Sequence, residues 1–524
     1  MLDVVIAGAG PNGLMLACEL ALAGVRPVVL ERLTGPRTDA RANGLVGQVV
    51  RMLDRRGLHA PLSGTDAPPR PAPRYMFGAF PLDLTGLVED NPVYLLPVPQ
   101  ARIEEVLTGR AAELGVDLRK GQEVTGLRQD ADAVRVSLAN GQTLTTRYLV
   151  GADGGHSLVR RITGIGFPGV SDDAFVFRTA HVSVAAEHLT ADAELIVPGF
   201  GALPKRSYVR TERGTIVWSP LPGRPALLHV TDTCAPEDRA APMTFTEFLA
   251  AAERVLGVPL PALPPEGDGP HLLRRLVGVN TRLAERYRAG RVLLLGDAAH
   301  VHSAMGGPGL NLGLQDALNL GWKLAATVLG RAPVPLLDTY EAERRPVAER
   351  VMTSSLAQLA LVRPGPEVTA LRAVFGELLA APGGTERIAH LVAGTTEGFA
   401  PDLVIRTGTG THRLAELTAT GRPLLLDLGG GFAEAAGPWR DRVDVVTGTV
   451  VTGTADGTDA TGLLLRPDGH LAWTGSGVVP AGAGGGGEGS GGDRRGGHGA
   501  DGLRTALTTW FGAPLPETEA EPVG

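Results

Sequence analysis

The feature that most constrains this chain lies within its first thirteen residues. Gly8-x-Gly10-x-x-Gly13 separates a short run rich in valine and isoleucine, residues 2–7, from residues 14–23, where apolar side chains recur at helical spacing. A run this continuously apolar predicts a strand buried on both faces. The glycines let the backbone turn sharply at its end and approach an anion closely, and the next helix aims its free N–H groups and positive dipole end at the same spot. Gly24 is placed to end that helix, and residues 25–30 read as a second strand, so the N-terminus predicts a βαβ unit in a parallel sheet. Glu31 follows Gly13 by 18 residues, where a carboxylate accepts from ribose hydroxyls and disfavours a 2′-phosphate. This is the pattern of a dinucleotide site.

Two later turns narrow the dinucleotide. Residues 148–152 form a strand that runs into Asp153-Gly154, and residues 291–295 form another that ends at Gly296-Asp297. An aspartate at the carboxyl end of a parallel strand sits in the ligand crevice of such a sheet. There Asp297 can accept from a sugar-alcohol chain such as the ribityl group of a flavin. The glycine-rich stretch 306–313 then leads into a helix over 313–329, offering backbone N–H groups to the electron-rich edge of an isoalloxazine ring. A plain nicotinamide fold has no need of this third site.

Composition excludes several other classes. Hydrophobic residues make up 43% of the 524 residues, which rules out a disordered or fibrous chain. The length suggests roughly three to four units. A net charge of −7 provides no cationic field for nucleic acid. Two cysteines, Cys18 and Cys234, exclude a disulfide scaffold and a cysteine-rich metal site, and His300 and His302 lack flanking carboxylates at ligand spacing, so no metal is expected. Cys18 and Trp322 are expected in the core. Met1 leads directly into the strand pattern, and no apolar run is long enough to span a bilayer, so a cytoplasmic protein is expected.

The three turns together resemble the class A flavoprotein monooxygenases, the para-hydroxybenzoate hydroxylase fold. Residues 314–324, 440–446 and 465–473 carry a narrower resemblance to the aromatic polyketide hydroxylases of antibiotic biosynthesis. The likeness extends over the whole chain except the glycine-rich stretch 481–502. It implies an α/β protein: a Rossmann-like FAD-binding domain, an inserted β-sheet substrate domain and a C-terminal thioredoxin-like domain. The implied division is 1–70, 100–170 and 275–345 for FAD, 71–99 and 171–274 for substrate, 346–399 as a helical connector, and 400–524 as the thioredoxin-like domain with a flexible loop at 481–502. No cysteine follows Cys234, so that last domain lacks redox cysteines.

The same resemblance implies the site. Gly8, Gly10, Pro11, Asn12, Gly13, Glu31 and Arg32 would hold the ADP half of FAD. Arg41 and Gln100 fall where the family places cofactor-contacting side chains. Asp153 and Gly154 would bridge FAD and transient NADPH or NADH. Asp297 and Ala298 would hold the ribityl chain, the 308–312 turn (Pro308, Gly309, Leu310, Asn311, Leu312) the flavin ring, with the Asn311 and Leu312 amides at its pyrimidine edge, and Pro308 the face where oxygen reacts. Ser303 and Pro308 depart from the residues common in the family, which bears on substrate choice. No protein nucleophile is implied; Pro308 and Arg41 are the residues placed beside the chemistry. The implied reaction is NAD(P)H-dependent insertion of one oxygen atom of O2 into a polycyclic aromatic substrate through a flavin hydroperoxide. Baeyer–Villiger insertion and a non-oxygenating flavin dehydrogenase or reductase are the alternatives, and monomer and homodimer are both open. Strand alternation points to Arg206, Tyr208, Trp218 and His229 as candidate pocket walls.

Overall fold

The computed structural model describes residues 1–35, 44–87, 91–452 (apart from 222, 236, 237, 240, 268, 270, 304, 306, 334 and 430), 460–476 and 499–514. The expected glycine-rich loop lies outside the described residues up to 498. The architecture is mixed α/β, built on three large sheets.

The first sheet runs in the order Arg288–Ala289, Val292–Leu294, Thr143–Gly151, Leu2–Ala7, Pro27–Glu31, Asp117–Lys120. All neighbours from Val292–Leu294 onward pair in parallel, as the N-terminal pattern requires. Val4, Val5 and Ile6 are fully buried, each contributing roughly 1.5–3 kcal/mol of burial. The helix Pro11–Leu22 covers one face and begins with proline at its first turn, where the missing N–H costs nothing. Three residues of the expected helix start thus move N-terminally. The expected Asn140-Gly141 hairpin joins Val134–Leu138 to Thr143–Gly151, with Gly141 at φ +84°.

The second sheet is antiparallel, ordered Tyr208–Thr211, Gly214–Leu221, Arg224–Asp232, Gly169–Val182, Leu273–Leu283, His300–Val301. Sequence alternation suggests only short strands here, whereas Gly169–Val182 spans 14 residues, with a register shift between Asp172 and Val176. That irregularity breaks the alternation and hides the strand's length. The helix Phe245–Leu256 covers one face, packing Phe248, Ala251 and Val255 onto Ala180, Ile216, Trp218 and Leu228. Thr244 caps it by accepting from the Glu247 N–H, and Gly257 ends it in the left-handed region.

Two long helices connect the sheets to the rest: Pro308–Val328, which packs on Pro11–Leu22, and Thr339–Val362. The first starts five residues earlier than its apolar spacing suggests, because Gly307 in left-handed geometry lets Pro308 open it. Helices Pro366–Ala380 and Gly384–Ala393 lead to the third sheet, ordered Gly410–Arg413, Val404–Thr407, Asp444–Thr452, Leu424–Asp427, Ala460–Leu465, Leu471–Ser476. Its last hairpin turns at Pro467-Asp468-Gly469, with Gly469 at φ +86°, and the final helix Ala500–Phe511 buries Leu503, Leu507 and Phe511 against it. Among the described residues no helix is long and apolar enough to cross a membrane.

Candidate active site

The three glycines of the first turn do different work. A Cβ on Gly8 would lie 2.4 Å from the Ala152 carbonyl oxygen, and one on Gly13 would lie 2.1 Å from the Gly8 carbonyl oxygen. These two let the turn, the helix and the neighbouring strand close on one another. A Cβ on Gly10 would meet nothing within 4 Å. Gly10 therefore faces open space at a helix N-terminus that has neither a side-chain cap nor an acidic first turn, which suits a pyrophosphate. Glu31 stands beside it: Oε2 accepts from the Ala9 N–H at 3.0 Å and Oε1 from the Leu33 N–H at 2.9 Å. The carboxylate is thus held at the turn, each oxygen retaining a lone pair. Arg32 is exposed, and Arg41 lies outside the described residues.

The second and third turns come to the same edge of the sheet. Asp153 Oδ2 accepts from the N–H groups of Leu158 (2.7 Å) and Val159 (3.1 Å), while its Oδ1 is buried without a partner. Asn12 fits between two glycines of the later motif, since a Cβ on either Gly296 or Gly313 would lie 2.2 Å from its Nδ2. Its Oδ1 is also buried and unpartnered. Two orphaned acceptors in one crevice cost roughly 1–3 kcal/mol each unless donors reach them. Asp297 is exposed in a stretch whose neighbours Gly296 and Ala298 are buried, and the Ala298 carbonyl accepts from Arg160 at 2.8 Å. An open cradle at Gly10, unsatisfied acceptors and an accessible carboxylate fit a hydroxyl-rich dinucleotide such as FAD.

At the last turn the helix start changes which amides are open. With Gly307 as cap, the N–H groups of Gly309 and Leu310 lack intrahelical acceptors, whereas those of Asn311 and Leu312 enter the helical ladder. The Asn311 side chain instead ties the turn together: Oδ1 accepts from the Val46 N–H at 3.1 Å, and Nδ2 donates to the Gly307 carbonyl at 2.9 Å. Pro308 lines a small cavity, about 30 Å³, with Val46, Tyr75, Gln315, Val351, Gln358 and Gly394 among the other walls. Burial pushes the Tyr75 phenol up to about 12 and raises that of Tyr208. Burial lowers the pKa of the His302 imidazole, whose Nδ1 donates to the Ser303 carbonyl, 3.0 Å away.

The remaining expectations separate. Gln100 opens the helix Gln100–Glu113 and donates to Glu104 at 2.8 Å. Trp218 points into the core beneath Phe245–Leu256, with Nε1 donating to the Ala193 carbonyl, and Arg206 is exposed. Tyr208 joins Met305 and Leu359 in a different cluster. His229 is 2.9 Å from Thr179 Oγ1 across neighbouring strands. Cys18 and Trp322 are buried. Tyr75, Ser354 and Gln358 escape sequence reasoning because nothing in the proline- and glycine-rich stretch, or in the uniform polarity of Thr339–Val362, marks them.

Comparison with known proteins shows the family. Residues 1–355 match the FAD-binding domain family and residues 394–514 the C-terminal domain of aromatic-ring hydroxylases. The chain therefore belongs to the FAD-dependent aromatic-ring hydroxylases. It is a flavin-dependent monooxygenase, with FAD as cofactor and NAD(P)H as the transient reductant typical of the family. It is similar to the 12-dehydrotetracycline 5-monooxygenase/anhydrotetracycline 6-monooxygenase of Streptomyces rimosus subsp. rimosus, at 40% identity over 98% of this chain and 99% of that one. The anhydrotetracycline hydroxylase structure from Streptomyces rimosus shares 40% identity and a TM-score of 0.80, covering 98% of this chain and 99% of its own. The dialkyldecalin synthase of Streptomyces rugosporus is 36% identical over 97% of this chain and 98% of that one.

Proposed function

We propose that this enzyme hydroxylates a polycyclic aromatic substrate of polyketide type in the biosynthesis of an antibiotic or related secondary metabolite. The observation that carries the reading is the convergence of the Gly10 cradle, Asp297 and the Pro308 turn on one sheet edge beside an apolar cavity. The full-length similarity to anhydrotetracycline monooxygenase supports the substrate class. Bound FAD supplies the redox chemistry, by which NAD(P)H and O2 yield hydroxylated product, NAD(P)+ and water.

The chain's own residues bind, orient and exclude. The Asn12 and Gly13 N–H groups and the space at Gly10 take the pyrophosphate, Glu31 the ribose, and Asp297 the ribityl hydroxyls. The Gly309 and Leu310 N–H groups would donate to the pyrimidine edge of the flavin. Pro308, Val351 and Tyr75 keep water from the reacting face and align the substrate ring. In this reading residues 1–70, 100–170 and 275–345 form the FAD domain, 71–99 and 171–274 the inserted substrate domain, and 400–524 a thioredoxin-like domain that cannot exchange disulfides. The protein is read as cytoplasmic.

A second reading, ring formation of the kind the name dialkyldecalin synthase describes, is favoured by the similarity to that protein. Incubating holoenzyme with NADPH or NADH and anhydrotetracycline-like phenols, then weighing the products, tests the oxygenation. Gain of one oxygen atom per NAD(P)H consumed supports oxygenation, and product NMR distinguishes hydroxylation from Baeyer–Villiger insertion. Substrate-independent NAD(P)H oxidation with no oxygenated product overturns it in favour of a dehydrogenase or reductase.

A further inference from the structure

The cavity at Pro308 has one wall, formed by Leu391, Val392, Ala393 and Gly394, that belongs neither to the nucleotide sheet nor to its two long helices. It is the end of helix Gly384–Ala393, in which only Ala389 and Ala393 are buried. The helix is bounded by Gly383 and Gly394, both left-handed, at φ +77° and +60°. The cavity is narrow, about 30 Å³, so the position of this wall sets its width. This wall, packed on Val46, Phe77 and Leu361, is the one whose anchoring matters.

Its anchor is Thr396, two residues beyond Gly394, and it is gripped from two sides. Gln48 Oε1 accepts from the Thr396 N–H at 3.0 Å, and Gln48 Nε2 donates to Thr396 Oγ1 at 2.9 Å. On the other side Thr396 Oγ1 lies 2.7 Å from His470 Nε2. His470 Nδ1 in turn lies 3.2 Å from Asp468 Oδ1. Thr396 Oγ1 also lies 3.3 Å from Gln48 Oε1, so Gln48 Oε1 and His470 Nε2 are both within reach of its proton, while His470 Nδ1 faces Asp468 without an aligned hydrogen bond. Asp468 is held by Arg466, which also makes two hydrogen bonds to Glu343 on Thr339–Val362.

Gln48 is the first residue of the helix Gln48–Asp54, and its neighbours belong to the pocket. Val46 lines the cavity and is tied to Asn311. A Cβ on Gly47, at φ +84°, would lie 2.0 Å from the Ala393 carbonyl oxygen, so backbone meets backbone at the seat of the wall.

We propose that His470, a residue of the C-terminal unit, is a positioning residue for the cofactor pocket. Acting through Thr396, it seats the 391–394 wall on the 46–48 turn and so against the start of Pro308–Val328. The inference rests on the assignment of FAD to the Pro308 turn, which borders this cavity.

Hydrogen exchange on the full chain, together with FAD titration of the apo-protein, tests it. His470→Ala is expected to accelerate exchange of the 391–396 amides and to weaken FAD binding about fivefold, as loss of one net hydrogen bond would. His470→Gln, whose Oε1 can take the Thr396 proton, restores both. Arg413→Ala removes an ion pair to Asp54 (2.7 Å) that joins the same two regions outside the relay, and leaves both at wild-type values. Wild-type behaviour of His470→Ala, no rescue by His470→Gln, or the same losses in Arg413→Ala would each overturn the proposal. Should His470→Ala not fold, Thr396→Val must show the same two losses. A wild-type chain that binds no FAD would sink the cofactor assignment, while the exchange difference still decides the relay.

Discussion

His300 Nε2 lies 2.7 Å from Asp316 Oδ2, and both side chains are completely buried. The other carboxylate oxygen accepts from Arg344 Nε, also at 2.7 Å. One carboxylate thus joins the strand before the Pro308 turn, the helix after it and the helix Thr339–Val362. The turn is held at both ends while its own residues stay available to a ligand.

Removing that carboxylate leaves Arg344 buried without its ion-pair partner. Asp316→Ala is expected to cost about 3–5 kcal/mol in denaturant unfolding of the apo-protein. A loss under about 0.5 kcal/mol, the level of an ordinary surface change, would show that the triad does not hold the turn.

The first glycine turn predicts a split between folding and binding. Gly13→Ala drives a Cβ into the Gly8 carbonyl and should lower the melting temperature of the apo-protein. Gly10→Ala meets open space, so it should melt like wild type yet weaken FAD about tenfold or more, because the added methyl occupies the cradle. Equal effects of the two on melting would contradict these separate roles.

Acid stability should carry the signature of His229. Burial first, and Arg274 second, push its imidazole down to about 4 from 6.5. The unfolded chain therefore binds a proton between these values that the folded chain does not. Stability is fully present above about pH 6.5 and falls as pH drops toward 4, by up to about 1.4 kcal/mol per pH unit. His229→Gln should flatten the stability profile over that interval, and an unchanged slope would exclude His229 as its source.

The thiols should differ sharply in reactivity. Cys234 is exposed, whereas burial, with Glu19 adding to it, pushes the buried Cys18 thiol up to about 12. A disulfide reagent near about pH 8 should titrate one thiol in the native protein and both in denaturant. Two fast native thiols would mean that the helix Pro11–Leu22 opens readily.

Much of this protein could be read before any coordinates, and the reasons are local. The 2–7 run, the glycine spacing and Glu31 each obey constraints that act within a few residues, so the βαβ start and the three turns appear in the sequence. The buried polar junction does not. Arg56 donates to both oxygens of Glu19 and to the Pro467 carbonyl, contacts spanning up to 411 residues that no periodicity encodes. Trp218 shows the other limit: alternation identifies two faces of a strand but not which one the helix Phe245–Leu256 will cover.

The sequence by itself determined the dinucleotide turn, the class of cofactor and the parallel sheet that carries them, because glycine, proline and acidic residues act there through backbone geometry and charge at short range. Tertiary structure decided which amides of the 308–312 turn are open, which aspartate anchors it and which side chains wall the cavity. Those depend on where Gly307 lets a helix begin and on partners brought together from opposite ends of the chain. The link from His470 to Gln48 is of this second kind, since it exists only when the C-terminal hairpin is docked.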